Sequence, residues 1–148
     1  MLAELDRGDT IVIVEDESTS ASWTALDLPG GRRFTVFTVA YNTMRGVSAD
    51  RSPPIIGLFH ELAHVYDFLN QTGASGVHQD PNDPDWVTGE DGTPAGAAND
   101  ERAAVGLPID HDGDPTTPHR IDPDHPYELT ENALRDEMAI PPRRRYGR

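Results

Sequence analysis

A chain of 148 residues has the size of one domain and enough length to bury a core of its own. Its formal net charge of −14 argues against nucleic acid or an anionic membrane surface as a partner. It has no cysteine, which excludes disulfides and thiolate metal sites, and no apolar run approaches the ~18 residues of a membrane span.

The N-terminal residues Met1 to Arg7 lack the apolar region of a signal peptide. A protein that acts outside its cell of origin would then be cytoplasmic before export, or would be a domain excised from a longer chain. The β-branched run Thr10-Ile11-Val12-Ile13-Val14 reads as a strand. Residues 15–31 are polar and close on Pro29-Gly30-Gly31, a turn. The stretch from Phe34 to Tyr41 is the best strand in the chain; apolar residues fall on both its faces, which suits a central strand. Antiparallel pairing of these two strands is the expectation.

Leu58, Leu62, Val65 and Leu69 recur at spacings of four, three and four, one apolar stripe of a helix. Pro53 and Pro54 stand at its start, where a missing N–H costs little, and Gly73 is placed to supply a left-handed cap. This helix carries His60-Glu61-Leu62-Ala63-His64. Residues four apart share a helix face, so His60 and His64 can bind one zinc ion. Glu61 lies about 100° around the helix from His60, beside the metal, where a carboxylate can take a proton from a water that the metal activates. Asp67, one turn past His64, is a candidate to orient a ligand imidazole.

The segment from Ala74 to Gly96, with His78 and Trp86, is rich in Gly, Asp, Pro and Asn and reads as a surface loop or a flap over a cleft. Residues 97–105 have helical composition and end at Gly106 and Pro108. Residues 108–127 form a second long loop. Its Asp110-His111-Asp112-Gly113-Asp114 opens like a calcium loop, but Pro115 and Ile121 stand where an EF-hand needs Gly and Glu. Thr130 can cap a last helix that contains Leu134 and Met138 and stops at Pro141-Pro142; a basic tail, 143–148, follows. His125 and Tyr127, on a stiff Pro-flanked segment before that helix, are candidate donors to an oxyanion.

A catalytic zinc needs a third protein ligand. The metzincin extension fails, because Asp67 and Asn70 stand where Gly and His belong. A carboxylate on a second helix remains, with Glu101 favoured over Asp100 and with His78 or a later histidine as further alternatives.

Residues 53–64, Asn-Asp-Glu-Arg-Ala-Ala-Val-Gly-Leu-Pro at 99–108, and Leu-Thr-Glu-Asn-Ala-Leu-Arg-Asp-Glu-Met at 129–138 followed by Pro-Pro-Arg occur in one order. Together these blocks resemble the NleD-like family of bacterial effector zinc metalloproteases. The resemblance implies a compact zincin fold, zinc held by His60, His64 and a carboxylate of the 99–101 segment, and Glu61 as base. It also implies proteolysis of a protein in a target cell. The long loops at 74–96 and 108–127 and the acidity depart from the family and leave the substrate open.

The expectation is therefore a small, single-domain α+β zincin over residues 1–148: a short sheet, the zinc helix and two further helices. Its function would be that of a zinc endopeptidase of the effector or toxin type, secreted or translocated. Its partners would be a protein substrate and, as further candidates, an immunity protein or secretion chaperone, with the chain itself a monomer. A binding module with structural zinc and a zinc hydrolase of non-peptide substrates are the alternatives.

Overall fold

The computed structural model describes residues 10–43, 52–78, 87–88, 94–114 and 116–146, with backbone alone at 28, 32, 87, 88, 94 and 95. The signal-peptide reading of residues 1–7, the flap reading of Trp86 and the end of the basic tail fall outside them. The fold is α+β, and the chain divides into two compact units, Met1–Gln71 and Thr72–Arg148.

In the first unit, β1 (Thr10–Glu15), β2 (Ser20–Leu28) and β3 (Arg32–Tyr41) form one sheet in the order β1-β3-β2. As expected, β3 is central. Two expectations need correction. Residues 20–28 are a strand, and β1 pairs with β3 in parallel, Thr10 opposite Val36 through Glu15 opposite Tyr41. The connector is what reverses the direction: β2 is the antiparallel partner of β3, so the chain has already turned once before β3 returns alongside β1. The β2–β3 hairpin closes through Gly30 and Gly31, whose φ values of +90° and +76° favour glycine.

Helix α1 (Pro54–Asn70) packs on this sheet. Phe37 and Val39 on one face of β3 join Val65 in a buried cluster, with Leu58, Leu62 and Leu69 packed against it. The sequence stripe is thus the core-facing side of the helix. Each large apolar side chain buried in this way contributes roughly 1.5–3 kcal/mol. Gln71, not Gly73, ends α1 in the left-handed conformation (φ +58°), its N–H reaching the carbonyls of Asp67 and Phe68.

The second unit carries α2 (Asn99–Val105), α3 (Glu131–Glu137) and a 3-10 turn at Tyr127–Leu129. The 74–96 stretch is not structureless, since it contains a two-residue antiparallel pair, β4 (Val87–Thr88) with β5 (Pro94–Ala95). The core side chains here include Ala103, Ala104, Val105, Leu107, Ile109 and Ala133. Gly106 caps α2 as expected, with φ +84°, and a Cβ there would lie 2.7 Å from Thr130 Oγ1. Thr130 caps α3, its Oγ1 accepting the Ala133 N–H at 3.2 Å. The helix ends at Glu137, ahead of the Pro141-Pro142 stop, because Ala139 adopts a left-handed φ of +54°.

The polar interior of this unit is ionic. Glu131 is fully buried and accepts from Arg135 Nε at 2.8 Å and Arg143 Nη1 at 3.0 Å. Asn132 adds a two-way clasp on the Arg143 backbone, donating to its carbonyl at 2.9 Å and accepting its N–H at 2.7 Å. The segment just after α3 is tied down at Arg143.

Candidate metal centre

α1 starts at Pro54 because Pro53 is held extended (φ −54°, ψ 145°) and Pro54 needs no N–H partner at the first helical position. From there a regular helix delivers His60 and His64 to one face. Their Nε2 atoms stand 3.2 Å apart, with ring planes at 82° and centroids 4.9 Å apart. Two nitrogens on one tetrahedral ion with bonds of about 2.0–2.1 Å would be about 3.3–3.4 Å apart. The pair therefore already has the spacing of a chelate. His60 is buried, whereas His64 and Glu61 are half-buried. Asp67 is buried one turn further along the same helix.

Glu101 lies in the first turn of α2, where the helix dipole favours a carboxylate. The Asp100 carboxylate is turned onto its own backbone, Oδ1 accepting the Glu101 N–H at 2.9 Å. The start of α2 is fixed by Asn99, which is buried; its Nδ2 donates to the carbonyls of Ser75 at 2.9 Å and Asp110 at 2.7 Å. Arg102 Nε donates to the Pro108 carbonyl at 2.9 Å and fastens the other end. Neither residue was singled out from the sequence. Buried donors to distant carbonyls leave no spacing signal; an Asn and an Arg flanking the acidic pair was the only hint.

One ligand atom each from His60, His64 and Glu101 lies within 4.8 Å of the others, close enough to bind a metal ion. It is the one such group of three or more found among the described residues. The alternatives for the third ligand are placed otherwise. Asp100 is outside the group, and His78 is buried against His119, ring centroids 4.4 Å apart. Among its described residues the acidic loop forms no such group either. Asp110 Oδ1 accepts the N–H groups of Asp112 and Gly113, at 3.1 and 2.7 Å. Asp112 is held below the usual carboxylate range by the Asp114 N–H and then the Thr117 hydroxyl, and Asp114 by Thr116. His125 is buried, and Tyr127 is half-exposed on the 3-10 turn, its carbonyl accepting from Thr130.

The family Peptidase_M91, described as effector protein, matches residues 2–146. The chain belongs to this family. The resemblance drawn from the three sequence blocks therefore holds over nearly the whole length, and the family's name makes its members peptidases, hydrolases of peptide bonds. No curated protein and no solved structure matches the chain. Among the described residues no helix is long and apolar enough to cross a membrane.

Proposed function

We propose that this effector peptidase is a zinc-dependent endopeptidase that cuts a protein of a target cell. The observation that carries the reading is the His60, His64 and Glu101 group, with an intact Glu61 next to it in sequence. Two imidazoles and one carboxylate are a donor set that zinc accepts while keeping a fourth position open. A bound zinc would supply Lewis-acid chemistry, polarising the scissile carbonyl and bringing the pKa of water toward ~7. Glu61 then takes the proton from the attacking water and returns it to the leaving amine. His125 and Tyr127 serve as donors to the developing oxyanion, and Asp67 orients a ligand imidazole from behind.

A structural zinc in a binding module has no use for a base, so the presence of Glu61 and the peptidase family both favour catalysis. The acidity of the chain favours a neutral or basic protein substrate, met after translocation. The test compares wild type with Glu61→Ala in lysates of candidate target cells, reading cleaved proteins by mass spectrometry and metal content by elemental analysis. The expected result is about one zinc per chain in both proteins, with cleavage in wild type alone. A Glu61→Ala protein that still cuts at more than a few per cent of the wild-type rate would refute the mechanism.

A further inference from the structure

The outer edge of β1 faces no strand among the described residues. Among the described residues β1 pairs with β3 alone, and the sheet order leaves its other side without a strand. The Asp16 N–H bonds the Tyr41 carbonyl at 3.1 Å. Because backbone groups alternate along a strand, the N–H and C=O of Ile11, Ile13 and Glu15 then point away from β3. The side chains offer no protection. Val12, Ile13 and Val14 are 40, 50 and 36 % exposed, and the strand has no proline, lysine or bulge to blunt it. An apolar, unblunted edge is the form that strand addition uses, main-chain bonds giving affinity and alternate side chains giving specificity.

The charge next to that edge says what fits. Glu15 ends the strand and Asp16 and Glu17 follow it, all three exposed. Asp16 Oδ1 accepts the Ser18 N–H at 3.1 Å, Asn42 Nδ2 donates to the Glu17 carbonyl at 2.7 Å, and Thr43 Oγ1 donates to Glu15. These bonds fix three carboxyl-bearing residues at the C-terminal end of the edge, on a chain of net charge −14. A second copy would bring the same acidity against it. A basic segment would be drawn to it.

We infer that the β1 edge is a docking site for an extended segment of the protein substrate, apolar in its body and basic at its N-terminal end, added antiparallel to β1. The antiparallel direction brings the basic end beside Glu15–Glu17. This rests on the reading of the chain as a peptidase acting on a protein, and it would let the enzyme hold a substrate away from the bond it cuts.

The experiment uses the 148-residue chain with Glu61→Ala, so that nothing is cleaved, and labelled peptides read by fluorescence anisotropy. The probe is Arg-Arg-Val-Thr-Val-Thr-Val-Thr. Controls carry Asp-Asp in place of Arg-Arg, or N-methyl groups on every valine or on every threonine. The expected results are saturable binding of the basic probe, at least tenfold weaker binding of the Asp-Asp peptide, and a tenfold loss for one of the two N-methylated peptides. Val14→Lys and Glu17→Lys in the protein should each weaken binding fivefold or more. Retention of full affinity by both N-methylated peptides, or indifference of binding to Val14→Lys, would overturn the inference. A dimer in sedimentation that Val14→Lys disperses, without peptide binding, would overturn it in favour of a second copy. Since no cleavage is measured, a failure here leaves the peptidase reading standing, and a failure of cleavage leaves this binding measurable.

Discussion

Replacing Glu131 should cost more stability than replacing almost any other single residue of the second unit. Its carboxylate is fully buried and neutralises Arg135, itself 1 % exposed, while also accepting from Arg143, 13 % exposed. In Glu131→Ala the Arg135 guanidinium keeps its bond to the Pro141 carbonyl at 3.2 Å but loses the Glu131 carboxylate, 2.8 Å from its Nε. Breaking one side of a buried pair costs about 3–5 kcal/mol. At roughly 2–4 °C per kcal/mol for a chain of this size, the melting midpoint should fall by about 6–20 °C. Arg143→Ala removes a charged donor from a less buried position, so about 1.5–3 kcal/mol is expected. The two losses should add to less than their sum, because both act on the same carboxylate. A sharper comparison is Glu131→Leu with Arg135→Met. An apolar pair needs no counter-charge, so the double variant should melt above the Glu131→Leu single variant. Calorimetry at neutral pH gives both answers. If Glu131→Ala melted within 2 °C (~1 kcal/mol) of wild type, the buried pair would not be the anchor described here.

Three further outcomes bear on the site and its frame. Glu101→Ala should lower zinc affinity by at least tenfold in a chelator competition, while Asp100→Ala, which loses only a bond to its own turn, should bind nearly as wild type; the reverse order would reassign the ligand. Tyr127→Phe and His125→Ala should keep their zinc and lose about 10²–10³ in kcat with KM little changed, and unaltered turnover in both would remove them from the mechanism. Gly106→Ala should destabilise by about 2–4 kcal/mol, from a left-handed φ and a Cβ forced against Thr130, and denaturant melts that coincide with wild type would contradict that geometry.

What could be read from the sequence was local. The stripe Leu58, Leu62, Val65 and Leu69, the His60–His64 spacing, the Thr130 cap and the Gly106 cap are each set within a turn or two of helix, and the structure has all of them. The misses are matters of pairing. β2 alternates Ser, Ala, Thr and Asp around Trp23 and Leu26, too polar to announce itself, and becomes a strand by bonding along β3. The parallel β1–β3 register follows from that intervening strand and from nothing inside β1. Gln71 pre-empts Gly73 because the helix ends where its packing on the sheet ends, and a residue other than glycine can bear a left-handed φ when the carbonyls of Asp67 and Phe68 accept its N–H.

The third sequence block shows how a family signature can be read without being understood. In the sequence, Leu129 to Met138 followed by Pro-Pro-Arg offers a helix cap at Thr130 and one block of the family resemblance, with no role for its other polar residues. In the structure, Thr130 caps α3, Glu131 binds two guanidinium groups, Asn132 clasps the Arg143 backbone and Arg135 reaches Pro141. Every polar side chain of that core is engaged with a partner from its own unit. These residues account for order, in that a seven-residue helix too short to persist alone is pinned by charge and by the segment that follows it. The group that could hold a metal ion, His60, His64 and Glu101, is drawn from the first two blocks. Arg143 reaches back twelve residues to Glu131, a contact that the sequence states only as an arginine after two prolines.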